Sequence, residues 1–293
     1  MSSIITIGGD LVVGRIGFGA MQLTGKQVWG EYPDRDGAIA LLRAVVDAGV
    51  NFIDTADVYG PHTNELLIRE ALYPYPDGLV IATKGGFVRG GYDYSTLGAV
   101  GNPNYLRQSA HLSARRLGVD QLGLYYLHSG RATDTPFEEQ VATLAALRHE
   151  GLIRHIGLSN VTLDQLRTAQ SIVDIAAVTA HYNVAVRTGA DLLRAAEDAG
   201  MAFSPWHPVT LTEGPDSAGV MAVVEPIASR QGLRRAGSAG LAPDPSHMTS
   251  KAGLGWRPRA LRLTEDVVRV TLSLVPIDRS IGTVGGSDVS DWR

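Results

Sequence analysis

The sequence predicts an α/β fold, a (β/α)8 barrel formed by one domain over residues 1–293. Three observations predict it. Short apolar runs alternate with amphipathic helical stretches along most of the chain, which implies a parallel sheet. Seven such runs are visible, a count that favours a closed barrel over an open doubly wound sheet. No Gly-x-Gly-x-x-Gly follows the first strand, and Gly17-Phe-Gly19 is only a fragment of that dinucleotide-binding pattern. The length of 293 residues suits one barrel, for which roughly 250 is typical.

Ile16–Met21 is the first barrel strand by this reading, and Asn51–Thr55 is the first clear one. Leu79–Lys84, Leu122–His128, His155–Asn160, Ala176–Tyr182 and Met201–Trp206 follow. Strands buried on both faces need such continuous apolar runs. Between them, Ala38, Leu41, Leu42, Val45 and Val46 form one buried stripe, with Gly49 as C-cap. Thr135-Pro-Phe-Glu138 predicts a capping box with proline at the first helical position, on a helix that stops at Gly151. Thr162-Leu-Asp-Gln165 opens the next helix, and Leu192, Leu193 and Ala196 mark another closed by Gly200.

The pattern fails after Gly232. Residues 233–260 show neither period and are rich in Gly, Pro, Ser and Arg, so they read as irregular. Leu261–Leu274 reads as helical, with Val267–Ile277 as strand eight the competing assignment, and 279–293 reads as a tail. That composition, flanked by barrel-like sequence on both sides, predicts that 233–260 is translated out of the ancestral frame; a long insertion is the alternative. Translating codons 230–262 in the other two frames tests this. If neither frame yields an apolar strand, a glycine-containing loop and a helix, the segment is an inherent feature of the protein.

Composition narrows the function classes. Net charge is −4, so no basic field points to nucleic acid. There is no cysteine, which excludes disulfides, thiolate catalysis and Cys-type metal sites. Met1 to Gly19 has no signal-peptide pattern, and no apolar run is long enough to span a bilayer, so a cytoplasmic protein is expected. The sequence carries no signal of oligomeric state.

In a barrel of this type the active site lies at the C-terminal ends of the strands. Asp54, Lys84 and His128 each end a strand there, and Tyr59 follows the first of them. Each alone has an ordinary structural reading: a cap, a solvated lysine, a hydrogen-bonded histidine, a packed aromatic. Together they suit carbonyl reduction, which needs a hydride on carbon and a proton on oxygen. An ammonium at Lys84 would lower the phenol pKa of Tyr59, Asp54 would orient Lys84, and His128 would polarise the carbonyl. A metal reading of Asp54, Asp57, His62 and Glu65 matches no ligand spacing, and no metal is expected. Trp29, Phe87 and Trp206 are candidates for an apolar substrate wall.

At these residues the sequence resembles the aldo-keto reductase superfamily. The matching segments are Gly17-Phe-Gly-Ala-Met21, Asn51-Phe-Ile-Asp-Thr-Ala-Asp-Val-Tyr-Gly60, Ala82-Thr-Lys-Gly85, Leu124-Tyr-Tyr-Leu-His128 and Ile156-Gly-Leu-Ser-Asn160. The resemblance covers residues 4 to about 232 and is nearest to bacterial pyridoxal-reductase or potassium-channel-β-like branches. The resemblance implies a tetrad of Asp54, Tyr59, Lys84 and His128, with Tyr59 as proton donor and NADPH, rather than NADH, as cofactor. It implies that Ser159 and Asn160 hold the nicotinamide carboxamide and that Trp206 stacks on the ring. Gly19, Met21, Thr179, His207 and Val209 complete the cofactor-binding set. The implied partner is a small carbonyl substrate.

Two departures stand out. Thr179 replaces the family's usual Gln, which costs about 1 kcal/mol if one carboxamide hydrogen bond is lost. The phosphate-gripping loop after strand eight is not recognisable, and Gly282-Thr-Val-Gly-Gly-Ser287 comes late for it. Two functions therefore remain open: an NADPH-dependent carbonyl reductase, or a barrel that keeps the tetrad but binds cofactor weakly and serves as a binding module or remnant.

Overall fold

The computed structural model describes residues 4–208, 210, 217–222 and 271–273. An antiparallel hairpin comes first, β1 (Ile4–Ile7) with β2 (Leu11–Gly14). The main sheet holds β3 (Ile16–Gly19), β4 (Phe52–Asp54), β5 (Val80–Gly85), β8 (Leu122–Leu127), β9 (Ile153–Ser159), β10 (Ile175–His181) and β11 (Ala202–Trp206) as parallel neighbours in that order. A second hairpin, β6 (Phe87–Arg89) with β7 (Leu97–Ala99), follows β5. The helices are α1 (Arg35–Asp47), α2 (Thr63–Leu72), α3 (Pro103–Leu117), α4 (Phe137–His149), α5 (Leu163–Gln170) and α6 (Ala190–Ala199). All seven predicted barrel strands are present, in order and in parallel register.

Period-2 alternation sorts each strand between two cores. On β8, Tyr125 and Leu127 face the helices, where they join Phe18, Leu42, Ile53, Ile68, Leu106, Leu144 and Leu166. Leu124 and Tyr126 face the barrel interior with Phe52, Val80, Ala82, Ala177 and Ala202. Ile7, Leu11 and Val13 of the N-terminal hairpin join that inner layer and plug one end of the barrel. Each such buried Leu, Ile or Phe contributes about 1.5–3 kcal/mol.

The local signals resolve unevenly. Thr162 and Gln165 form the reciprocal capping box: the Gln165 backbone N–H donates to Thr162 Oγ1 (3.2 Å) and the Thr162 N–H to Gln165 Oε1 (2.9 Å). Gly200 caps α6 in the left-handed region (φ 67°). At α1 the C-cap is Ala48, with Gly49 next at φ 90°. The capping box predicted at Thr135 does not form. The helix starts at Phe137, one residue late, so Pro136 occupies the N-cap and offers no side-chain acceptor. The Thr135 carbonyl instead accepts from Gln140 Nε2 (2.8 Å).

At the far edge, β12 (Thr271–Ser273) is extended, which corrects the helical assignment of Leu261–Leu274 at these three residues. It pairs with β3 antiparallel, whereas a closing eighth strand would run parallel. The irregular segment 233–260, the late glycine-rich loop and the 279–293 tail lie outside the described residues.

Candidate active site

The alternation that builds the inner core also builds the site. On β4, β5, β8 and β10 the interior-facing series is apolar at the hairpin end and polar at the other, whereas on β9 His155 meets Asp10 of the hairpin turn and Ser159 lies at the far end. Phe52 is followed by Asp54, Ala82 by Lys84, and Leu124 and Tyr126 by His128. Ala177 is followed by Thr179, and Ala202 leads to Trp206. These polar ends converge on a cavity of about 300 Å³ lined by Asp54, Tyr59, Lys84, His128, Ser159, Asn160, Thr179 and Trp206.

Tyr59 lies in a loop fixed from three sides. Thr55 donates to Asn64 Oδ1 (2.6 Å), and Asn64 Nδ2 donates to the carbonyls of Ala20 (2.8 Å) and Leu23 (2.9 Å). The Asp57 N–H donates to the Lys84 carbonyl (3.1 Å). Gly60 follows at φ 89°, where a Cβ would meet Thr63 Oγ1 at 1.8 Å, so no larger residue fits this turn.

Lys84 and Asp54 form a buried ion pair, and Lys84 Nζ also donates to the Thr55 carbonyl (2.8 Å). The ammonium lies 5.3 Å from the Tyr59 ring centroid. The Tyr59 ring meets His128 edge-on at 5.9 Å, and Phe87 packs on His128 at 4.7 Å. Burial holds the Tyr59 phenol well above its usual range, and Asp54, Tyr94 and Asp57 push the same way. This corrects the expectation that Lys84 lowers the phenol. Desolvation is the largest cause, and Asp54, the counter-charge of Lys84, pushes the same way. Burial pulls the His128 imidazole well below its usual range, reinforced by Lys84 and Arg131. Burial raises the Asp54 carboxyl against the opposing effect of Lys84. Tyr59 and His128 are therefore both neutral at physiological pH.

A second polar group set lies behind this one. Ser109 Oγ donates to Asp57 Oδ2, and Tyr105 OH donates to the Phe87 carbonyl (2.7 Å). Burial pushes the Asp57 carboxyl up to about 7, with the Ser109 bond opposing and Glu65 adding. Glu65 accepts from Thr83 Oγ1 (2.6 Å) and pairs with Arg116 (2.5 Å). Asp54, Asp57 and Glu65 of the metal reading thus have protein partners, and among the described residues no metal-sized cluster of His, Asp or Glu occurs.

The residues expected to hold the nicotinamide are tied together. Asn160, left-handed at φ 53°, accepts from Trp206 Nε1 (3.0 Å) and donates to Ser159 Oγ (2.9 Å) and the His128 carbonyl (3.3 Å). One face of Trp206 stacks on His181 (4.1 Å, 16°). His207 is also left-handed at φ 53°, uncommon outside glycine and concentrated at functional sites.

Met21, Phe87 and His207, expected at the site, line the cavity. Gly19 and Trp29 do not. Gly19 ends β3 beside Asp54, and Trp29 lies behind Arg89, whose guanidinium is 5.3 Å from its ring centroid. Val209 lies outside the described residues. Val28, Val58, Arg89, Tyr94, Leu97 and Arg131 line the cavity without having been singled out. Three of the six, Arg89, Tyr94 and Leu97, come from the β6–β7 hairpin, whose signal was two short runs around Gly90-Gly91.

The sequence profile of the Aldo/keto reductase family matches residues 15–214. An uncharacterized oxidoreductase of Schizosaccharomyces pombe is 46% identical over 202 residues, 69% of this chain and 64% of that protein. The chain thus spans under two thirds of that relative's length. The pyridoxine 4-dehydrogenase of Escherichia coli is 42% identical over 214 residues, 71% of this chain and 74% of that one. Among solved structures, the glycerol dehydrogenase of Gluconobacter oxydans matches with a TM-score of 0.68 at 26% identity, covering 79% of each chain. The order of the barrel strands, the polar ends they bring to one cavity and a profile match spanning most of the chain place this protein in the aldo/keto reductase family.

Proposed function

We propose that this chain reduces an aldehyde or ketone to the alcohol, with NADPH as hydride source and Tyr59 as proton donor. The observation that carries this reading is the convergence of Asp54, Tyr59, Lys84 and His128 on one cavity shared with Trp206. Tyr59 holds its proton until a negative charge grows on the substrate oxygen. Neutral His128 is a hydrogen-bond donor for that oxygen. Lys84 steadies the phenolate left by proton transfer, and Asp54 orients Lys84. Phe87 and Trp206 form a wall that suits an aromatic carbonyl.

When bound, the nicotinamide supplies the hydride. The residues present fit its ring end: an indole at the cavity wall, with Ser159 and Asn160 beside it. Asn160 bridges Trp206 and Ser159, and so positions both. Val209 and the sequence where a phosphate-gripping loop is expected lie outside the described residues.

A second reading, a barrel that binds cofactor weakly or not at all, is favoured by Thr179 and by the antiparallel β12. Titration with NADPH and NADH, followed by tryptophan quenching, separates the two. Saturable NADPH binding is expected with a dissociation constant above about 1 µM, consistent with lost carboxamide and phosphate contacts. Addition of a nitrobenzaldehyde to the complex is expected to oxidise NADPH. No quenching at millimolar NADPH would establish the second reading. Submicromolar NADPH affinity with strong preference over NADH would show that the phosphate site is intact.

A further inference from the structure

Three cations line the cavity: Lys84, Arg89 and Arg131. The first two are engaged by the protein. Lys84 pairs with Asp54. Arg89 donates from Nη1 to the Gln27 carbonyl (2.8 Å) and from Nη2 to the Tyr92 carbonyl (2.7 Å), so its fork clamps the loops around the cavity.

Arg131 differs. Its Nε donates to Ser129 Oγ (3.2 Å), and its guanidinium lies 5.6 Å from the Phe87 ring centroid. These two contacts hold the head at the cavity wall. Among the described residues, no acceptor takes a hydrogen bond from its terminal nitrogens and no carboxylate pairs with it. Asp134, nearby in sequence, accepts instead from the backbone N–H groups of Gly101 (2.8 Å) and Asn102 (3.0 Å). Phe87, which carries Arg131 on one side, packs on His128. The unengaged fork is thus one aromatic ring away from the group proposed to hold the carbonyl oxygen.

We propose that Arg131 is an anion-recognition residue of the substrate subsite, and that the preferred substrate is an aromatic aldehyde or ketone carrying a carboxylate across the ring from the carbonyl. A guanidinium fork matches a carboxylate in bidentate geometry. A single available cation suits a monoanion better than a phosphate dianion. This inference rests on the carbonyl-reductase reading, and it names the substrate class of that same site.

The test compares 4-carboxybenzaldehyde with its neutral methyl ester, at low and high salt, in wild type and Arg131→Met. Arg131 is solvent-exposed, so the fold is expected to survive, which a thermal melt checks. Wild type is expected to favour the acid by about tenfold to a hundredfold in kcat/KM, through KM, with the preference falling as salt rises. In Arg131→Met the acid-to-ester ratio is expected to fall to about one. Equal use of acid and ester by wild type, or a ratio untouched by the substitution, overturns the inference while leaving carbonyl reduction standing. Absence of turnover with both compounds counts against the reductase reading instead. In that event calorimetric binding of terephthalate to both proteins decides the inference: binding lost in Arg131→Met supports it, and binding unchanged or absent in wild type sinks it.

Discussion

Tyr59→Phe is expected to lower carbonyl reduction by more than roughly a hundredfold, the scale of a lost general acid. The substitution removes one oxygen from a ring held by Ala56, Val58 and Phe87, so packing is conserved. Among the described residues that line the cavity, none offers a substitute acid. His128 is neutral, and its nearest charges, Lys84 and Arg131, oppose its protonation. Lys84 is tied to Asp54 and the Thr55 carbonyl. The loss should fall on kcat, because phenylalanine preserves the aromatic surface but cannot give a proton. NADPH oxidation with a nitrobenzaldehyde measures it, and tryptophan quenching by NADPH controls for the cofactor site. Turnover like that of wild type would remove Tyr59 from the mechanism.

Lys84→Met is expected to be nearly as damaging to activity, and Asp54→Asn less so. The two substitutions also divide differently between chemistry and stability. Removing the ammonium strands a carboxylate that is 8% exposed, and breaking a buried pair costs about 3–5 kcal/mol while the survivor stays charged. Burial already raises the Asp54 carboxyl, so losing Lys84, the only group opposing that rise, lets it take up a proton instead. The sign follows. A carboxyl whose folded pKa lies above its unfolded value destabilises the fold as pH rises through that range. Lys84→Met should therefore melt lower than wild type at neutral pH, and the gap should narrow as pH falls. Adding Asp54→Asn to it should restore the melting temperature but not the activity. An activity loss repaired together with stability in the double variant would make the pair structural.

The seven barrel strands were legible because parallel strands buried on both faces must be apolar runs. The hairpins were less so. Ile4–Ile7 and Leu11–Gly14 flank Gly8-Gly9, an adequate turn signal, yet their half-exposed faces resemble any short surface strand. Their role as the barrel plug exists only once Ile7, Leu11 and Val13 meet Phe52 and Leu124. The capping boxes show the same limit. Thr162 and Thr135 carry similar local signals, and only the first is used, since α4 enters from Pro136.

The sequence by itself determined the order of the strands along the chain and the residue types at their ends, which place Asp54, Lys84 and His128 at one rim. These follow from the alternation of strands and helices and from parallel pairing, and they need no distances. Only the tertiary structure decided the electrostatics and the walls. Whether Lys84 lowers the Tyr59 phenol depends on burial and on the Asp54 carboxylate beside it. Both are sums over neighbours from other strands, and together they reverse the direction that the pair of residue types implies. Likewise Trp29 withdraws behind Arg89 while Arg131 keeps its fork unengaged, because the β6–β7 hairpin folds over the cavity and takes one arginine but not the other.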